Sequence, residues 1–297
     1  MQKCGRADVV PRGLIAVTGA SGHTGYRLVG DLVAKGETVR AVTRDPAVLP
    51  LELRRKVEIC RADLTREDEA REAVRGAAAV LALTHIRHAP LIIAAMKAEG
   101  IQRVVFTSST RRFTRFPEET ARAVIAGEDA VRASGLDWTI LRPSMIYGGY
   151  HDNNLVHLVH WLRRFPVHPL PGGGRMLWQP VFTWDVIAAI EAAMERPETA
   201  GKEYTLAGPE PVSYRQMVMT ILRLLKRRCL LVPVPISLLR FAARIAESVS
   251  ARPRIRMDQI RRLEEDKVFD ITEARRDLGF SPRSFEEGIR RKLSGTA

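Results

Sequence analysis

The sequence predicts an α/β fold: a doubly wound parallel sheet with a smaller, mostly helical C-terminal lobe. Three observations carry that expectation. An apolar run, Leu14-Ile15-Ala16-Val17, feeds a glycine-rich turn, Gly19-Ala20-Ser21-Gly22-His23-Thr24-Gly25, and an apolar-periodic segment over 26–33 leaves it. Short β-branched and apolar runs then alternate with helical stretches as far as Leu141. Beyond Tyr147 this rhythm stops, Pro and Gly crowd 165–180, and the remainder reads mostly as helix.

The elements follow in order. After the first strand, the glycines let backbone approach a phosphate, and the helix that follows offers unpaired N–H groups at its start. Thr38-Val39-Arg40-Ala41-Val42-Thr43 alternates as a second strand. Val57-Glu58-Ile59-Cys60 is a third, ending at Arg61-Ala62-Asp63-Leu64, with Thr65 opening a helix over 66–75. The run 78–83 gives a fourth strand, 90–99 a helix stopped by Gly100, and Arg103-Val104-Val105-Phe106-Thr107 a fifth strand. A helix over 118–133 ends at Ser134-Gly135, and Trp138-Thr139-Ile140-Leu141 is the sixth strand. Right-handed crossovers then make the sheet parallel, with ligands at the carboxyl ends of its strands. Those ends are 18–25, 43–45, 62–64, 84–88, 107–112 and 143–148. Farther on, Thr183-Trp184-Asp185 is expected to cap a helix over 186–195, and Ser213 one running through Leu225. The expected division is a nucleotide-binding domain over 1–150, to which segments such as 176–208 return, and a substrate or partner lobe over 151–297.

The G-x-x-G-x-x-G spacing after Thr18 resembles the turn of the short-chain dehydrogenase/reductase superfamily, in its extended and atypical branches. Three later stretches match the extended group, which contains sugar-nucleotide epimerases and dehydratases. Leu141-Arg142-Pro143-Ser144-Met145-Ile146-Tyr147-Gly148 resembles its L-R-P-x-x-x-Y-G segment beside the nicotinamide, and Gln179–186 its V-H-V-x-D segment. Ala274-Arg275-Arg276-Asp277-Leu278-Gly279-Phe280-Ser281-Pro282 resembles its C-terminal helix and turn. The resemblance implies a Rossmann-type fold that binds NAD(P). It places the cofactor on Gly19, Ser21, Gly22, His23, Thr24 and Gly25, with Thr84, Thr107, Pro143 and Ser144 at later strand ends. Asp63 and Leu64 resemble the adenine-contacting pair, although an Asp at a strand end is commonly a plain helix cap. Thr43 and Arg44 stand where such folds choose their cofactor, and a guanidinium suits the extra phosphate of NADP(H). NADP(H) is therefore expected ahead of NAD(H), with the adjacent Asp45 as the argument for NAD(H).

The family's Tyr-x-x-x-Lys dyad is not found. No tyrosine occurs between Tyr26 and Tyr147, and no lysine between Lys97 and Lys202. Aligned on Gly127-Glu128, the dyad positions hold Thr120 and Val124. Ser109 matches the family's active-site serine. Arg111 and Arg112 beside it suit a phosphate or a carbonyl oxygen, and equally a solvated basic loop. His85 and His88 follow the fourth strand, while Tyr147, Tyr150 and His151 are available only from a loop folded inward. A dyad-poor chain of this kind resembles NmrA-like redox sensors and the accessory-subunit branch of respiratory complex I. The stretches 124–128 and 265–270 resemble bacterial proteins associated with polysaccharide synthesis. Two functions follow as expectations: a reductase or epimerase acting on a sugar nucleotide or similar carbonyl substrate, and a dinucleotide-binding sensor or assembly subunit without turnover.

Composition bounds the rest. With 45% hydrophobic and 27% charged residues, the chain has the make-up of a soluble globular protein. Three dispersed cysteines, Cys4, Cys60 and Cys229, fit a reducing compartment and no metal cluster. Without an apolar leader near residue 1 or a membrane-length apolar run, a cytoplasmic location is expected. The formal charge is +13, and 39 of the 47 basic residues are arginine. This favours an arginine-biased composition with charge spread over solvated faces, then an anionic small-molecule substrate or a lipid surface, and nucleic acid last, since no nucleic-acid motif accompanies it. The apolar stretch 230–249, followed by Arg252, Arg254 and Arg256, suggests peripheral membrane contact through 230–256, with packing on the sheet domain as the commoner role for such a helix. Nothing in the sequence fixes an oligomeric state.

Overall fold

In the computed structural model, which describes residues 13–116, 118–148, 155–249 and 257–295, the first half alternates strand and helix. It runs β1 (Ile15–Thr18), α1 (Gly25–Ala34), β2 (Val39–Thr43), the single-turn α2 (Leu51–Arg54), β3 (Glu58–Arg61), α3 (Glu67–Val74) and β4 (Ala79–Ala82). Then come α4 (Ala89–Ala98), β5 (Arg103–Thr107), α5 (Glu119–Arg132) and β6 (Asp137–Pro143). The second half begins with β7 (Ile146–Tyr147), α6 (Val156–Arg164), β8 (Val167–Pro171), β9 (Leu177–Trp178), β10 (Val181–Phe182) and α7 (Thr183–Glu195). It continues with β11 (Lys202–Leu206), β12 (Val212–Ser213), α8 (Tyr214–Leu224), β13 (Leu230–Val234) and α9 (Ile236–Val249). The last helices are α10 (Met257–Leu263), α11 (Thr272–Leu278) and α12 (Phe285–Ser294).

Seven strands form one sheet in the order β11-β6-β5-β4-β1-β2-β3, parallel throughout. The chain winds outward from β1 through β2 to β3, then crosses back to β4 on the other side. The carboxyl ends of β1 and β4 are thus the switch point where ligands bind in such sheets. Alternation along β1 divides the core. Ile15 and Val17 pack with Leu28 of α1, Ile190 of α7 and Leu278 of α11. Ala16 packs with Val74 of α3, Met96 of α4 and Val124 of α5. The lobe has its own core, in which Tyr147, Phe182, Met217, Ile221, Phe285 and Ile289 meet.

Strand and helix ends fall within a residue or two of the expected ones, with four corrections. The strand β11 was not expected, and it extends the sheet beside β6. Helix α3 begins at Glu67, not Arg66, because Arg66 has extended backbone angles. Helix α7 begins at Thr183 with Phe182 at its cap position, so 183–185 are helix, not cap. The Asp185 carboxylate instead accepts from the Arg283 N–H at 2.8 Å and pairs with its guanidinium. Finally, 230–249 is not one apolar helix: 230–234 form β13 against β8, and α9 follows Pro235. Ser213 does cap α8, in a reciprocal box with Gln216.

Candidate functional site

Parallel sheets of this kind bind ligands along the carboxyl edge of their strands, and strand order assigns that edge its two ends. At its centre is the turn from β1 to α1. Gly19 has φ +68°, and a Cβ there would lie 3.2 Å from the Thr84 backbone nitrogen. At Gly25 a Cβ would meet the Gly19 carbonyl oxygen at 2.2 Å, so only glycine lets the helix start this close to the strand. Thr24, at the cap position, makes no side-chain cap bond, and the first turn of α1 holds no acidic residue. An uncapped helix start beside a glycine cradle offers backbone donors and a partial positive charge to an anion.

Towards β3 lies the end suited to an adenosine. The Thr43 hydroxyl donates to Ser21 Oγ at 2.7 Å, tying β2 to the glycine turn. Arg44 is exposed, and no ion pair engages it among the described residues. The Asp45 carboxylate accepts from the Ala47 N–H at 3.0 Å and so closes its own turn. Asp63 is likewise a local cap: Oδ1 accepts from the Thr65 N–H at 3.0 Å and from its hydroxyl at 2.9 Å. Those bonds hold its carboxyl below the usual value. Leu64 beside it is buried. His88 lies within electrostatic reach of Arg44 and Asp63, so it belongs to this end.

Towards β6 lies the end suited to a nicotinamide. Thr84 pairs its hydroxyl with that of Thr18 at 3.2 Å. Thr107 Oγ1 is buried with no hydrogen-bond partner among the described residues, a polar atom that a bound ligand would satisfy. Pro143 ends β6, and the Ser144 hydroxyl is committed to the Gln179 carbonyl. His85 accepts from the Arg87 N–H through Nδ1 at 3.2 Å, which puts the proton of the neutral ring on Nε2. Burial, then Arg87, His88 and Arg111, holds its pKa below the ordinary imidazole value.

The other expected catalytic groups are already engaged. Ser109 Oγ accepts from the Arg111 N–H at 3.2 Å. Arg111 pairs with Glu118, and Arg112 lies 3.1 Å from the Glu128 carboxylate. His23 Nε2 lies 3.4 Å from the Thr183 hydroxyl. Tyr147 is removed as a proton donor: it is fully buried against Phe182 and Phe285, and burial drives its pKa far upward. Tyr150 and His151 lie outside the described residues.

Two groups escaped the sequence reading. Glu128 is fully buried on α5, where Ser108 donates to it at 2.6 Å and Arg142 clamps both oxygens at 2.9 and 2.8 Å. Arg132 adds a contact at 3.0 Å, and Glu203 of β11 binds both Arg132 and Arg142. The motif arginine Arg142 therefore braces α5, β6 and β11 beneath the Ser109 loop. The second group is Lys267. Glu265 fastens its segment to that loop by accepting from the Thr114 hydroxyl and the Arg115 N–H at 2.8 and 2.6 Å. The Phe269 N–H donates to Gln179 at 2.8 Å on the other side. Between these anchors the Lys267 ammonium lies 4.4 Å from the Trp178 ring centre, in no ion pair among the described residues. Burial lowers its pKa, helped by Arg262 and Arg111 and opposed by Glu265.

Comparison with known proteins agrees with this geometry. Residues 19–158 match the family described as NAD(P)H-binding. The chain is 27% identical to mitochondrial NADH dehydrogenase (ubiquinone) 1 alpha subcomplex subunit 9 of Arabidopsis thaliana, over 78% of this chain and 63% of that one. It is 24% identical to a 3 beta-hydroxysteroid dehydrogenase/Delta 5→4-isomerase of Mycobacterium tuberculosis, covering 91% of this chain and 86% of that one. A dTDP-glucose 4,6-dehydratase from Streptomyces venezuelae, solved with NAD bound, superposes with a TM-score of 0.74 at 20% identity, over 95% of each chain.

Proposed function

We propose that this chain, whose residues 19–158 match a family described as NAD(P)H-binding, is a member of the extended short-chain dehydrogenase/reductase superfamily with a hydride-transfer activity. In this reading it is an NADP(H)-dependent reductase or epimerase acting on a carbonyl substrate with an anionic group, such as a sugar nucleotide. The observation that carries it is the glycine cradle at an uncapped helix start, with the exposed Arg44 at one end of the same carboxyl edge and the orphaned Thr107 hydroxyl at the other.

Gly19, Gly22 and Gly25 would hold the pyrophosphate, Thr43 and Arg44 the adenosine and its 2′-phosphate, and Thr107 the nicotinamide side. Bound NADPH supplies a hydride from C4 of its dihydronicotinamide to the carbonyl carbon. Ser109 would donate a hydrogen bond to the carbonyl oxygen, its lone pair being already used by the Arg111 N–H. We read α5 as lacking the usual dyad, with Thr120 and Val124 in its place, so the proton must come from elsewhere. Lys267 is the candidate: an ammonium in no ion pair among the described residues, with a lowered pKa, on the segment that Glu265 fastens to the turn following Ser109. It would give a proton to the oxygen as the C–O bond becomes single, and regain one from solvent.

The test uses Lys267→Met, Lys267→Arg and Ser109→Ala. NADPH binding should survive in all three, while turnover falls by roughly 100-fold or more in Lys267→Met, the usual scale for losing a general acid. Lys267→Arg keeps the charge but shifts the basic limb of the pH–rate profile, which a purely structural role would not do. Unaltered turnover in Lys267→Met removes the proton donor. If neither Ser109→Ala nor Arg112→Ala changes turnover, the whole assignment of the site is wrong.

A second reading is favoured by one feature: Ser109, Arg111 and Arg112 all have partners within the protein. A dinucleotide-binding sensor or assembly subunit needs no free catalytic groups. It predicts binding without hydride transfer, and turnover of any carbonyl substrate at a useful rate excludes it.

A further inference from the structure

We infer that the lobe carries a docking face for an anionic phospholipid bilayer, built on the β8–β13 ribbon and continued by α9. The register sets Leu230 against Val167 and Val232 against Pro169. Those four residues are exposed while His168 and Leu170 between them are buried, so the ribbon turns one apolar face outward. Phe165 and Trp161 extend it, stacked at 4.3 Å between ring centres and both about two-fifths exposed. Through Pro235 the chain enters α9, whose only buried residue among those described is Ala243. Leu238, Phe241, Ile245 and Val249 form a stripe along that helix, and the exposure of Phe241 and Val249, 63% and 82%, shows that none of the described residues covers it.

Charge identifies the occupant. The sequence holds no Asp or Glu between Asp152 and Asp185, or between Glu210 and Glu247, so Glu247, near the end of α9, is the one acidic residue in the elements that build this face. Arg163 and Arg164 precede β8, and Lys226, Arg227 and Arg228 precede its parallel partner β13, so both clusters flank the amino end of the ribbon, all exposed and none in an ion pair among the described residues. Nearby Arg223 and Arg240, by contrast, are paired with Glu286 and Glu264. Exposed aromatics and aliphatics rimmed by unpaired cations suit the interface of an anionic membrane. A second copy of the same face would bring like charges together. Trp161 and Phe165 are stacked on each other, which leaves no open platform for nucleic-acid bases. No helix among the described residues is long and apolar enough to cross a membrane, so the contact is with the surface.

Flotation of the full chain with phosphatidylcholine vesicles, with and without phosphatidylglycerol, tests this. The chain should float with the anionic vesicles at low salt, weakly with neutral ones, and progressively less as salt rises. Arg227→Ala/Arg228→Ala should weaken partitioning by about 30-fold, from about a factor of five for each cation near the surface. The exposed apolar change Leu230→Asn should weaken it with the charges intact. No flotation with anionic vesicles overturns the inference, as does equal flotation with neutral ones or indifference to the double variant. Self-association blocked by Leu230→Asn, without lipid binding, assigns the face to a second copy instead.

Discussion

Replacing Glu128 with alanine should cost more stability than any exposed substitution in the chain. The carboxylate is fully buried and receives Ser108, both arms of Arg142, and Arg132, with Arg112 at 3.1 Å. Its removal leaves Arg142, 6% exposed, facing Glu203 alone while Arg112 and Arg132 lose their shared counter-ion. Breaking a buried ion pair from one side costs about 3–5 kcal/mol. The Ser108 hydrogen bond is worth about 1 kcal/mol more, and these contributions are not strictly additive. Glu128→Ala should therefore lose roughly 4 kcal/mol, and Glu128→Gln, which keeps the shape and an acceptor, about half of that. Urea unfolding followed by tryptophan fluorescence and by circular dichroism measures the loss. The glycine turn lies across the sheet, so dinucleotide affinity of the folded variant should change little. A loss below about 1 kcal/mol in Glu128→Ala would show that the network is not the brace described.

Three other outcomes follow from the geometry. Gly25→Ala places a methyl 2.2 Å from the Gly19 carbonyl oxygen, so dinucleotide binding, read by fluorescence titration, should fall below detection while the sheet stays folded. Arg44→Ala should weaken NADPH binding by roughly ten- to a hundredfold, the scale of a charge-assisted hydrogen bond, and leave NADH unchanged; equal losses would contradict the NADP(H) preference. Burial, then a hydrogen bond with Asp31, pushes the Glu191 carboxyl up to about 7 from 4.5, while Lys35 at 2.7 Å opposes it. The folded state thus holds that proton more tightly than the unfolded chain, and stability falls as pH rises from about 4.5 to about 7. Asp31 is held below its ordinary value by its bonds to Glu191 and Lys35 despite burial, so its own contribution is lost only at lower pH. Glu191→Gln should flatten the urea midpoint between pH 5 and 8, and an unchanged slope would show that Glu191 does not titrate there.

Much of this fold was legible because local signals and global topology agree. The Gly19–Gly25 spacing, the β-branched run to Thr43 and the Ser213/Gln216 box each depend on neighbours in sequence. The strand β11 was missed although Lys202-Glu203-Tyr204-Thr205-Leu206 alternates in burial, because one short alternating run after a helix does not announce its partner, β6. Asp185 looked like a helix cap, since nothing local reveals Arg283 approaching from 98 residues away. Glu128 served to align a motif, but the partners that make it a brace come from β5, β6 and β11. Lys267 lay inside 265–270, a stretch singled out only for its resemblance, with nothing local to give it a role; the anchors at Glu265 and Phe269 hold its segment between the Thr114–Arg115 turn and Gln179. The apolar stretch 230–249 was visible, but its exposure was not, because hydrophobicity alone does not say whether a partner element covers it.

The central claim is hydride transfer without the usual dyad. Its most direct test mixes the purified chain with NADPH, or NADH, and a panel of sugar nucleotides that includes 4-keto-6-deoxy forms, following loss of reduced-nicotinamide absorbance. The prediction is oxidation of NADPH with at least one member, faster than with NADH, and slowed by roughly 100-fold or more in Lys267→Met. Tight NADPH binding with no oxidation across the panel would contradict it and leave the non-catalytic reading standing.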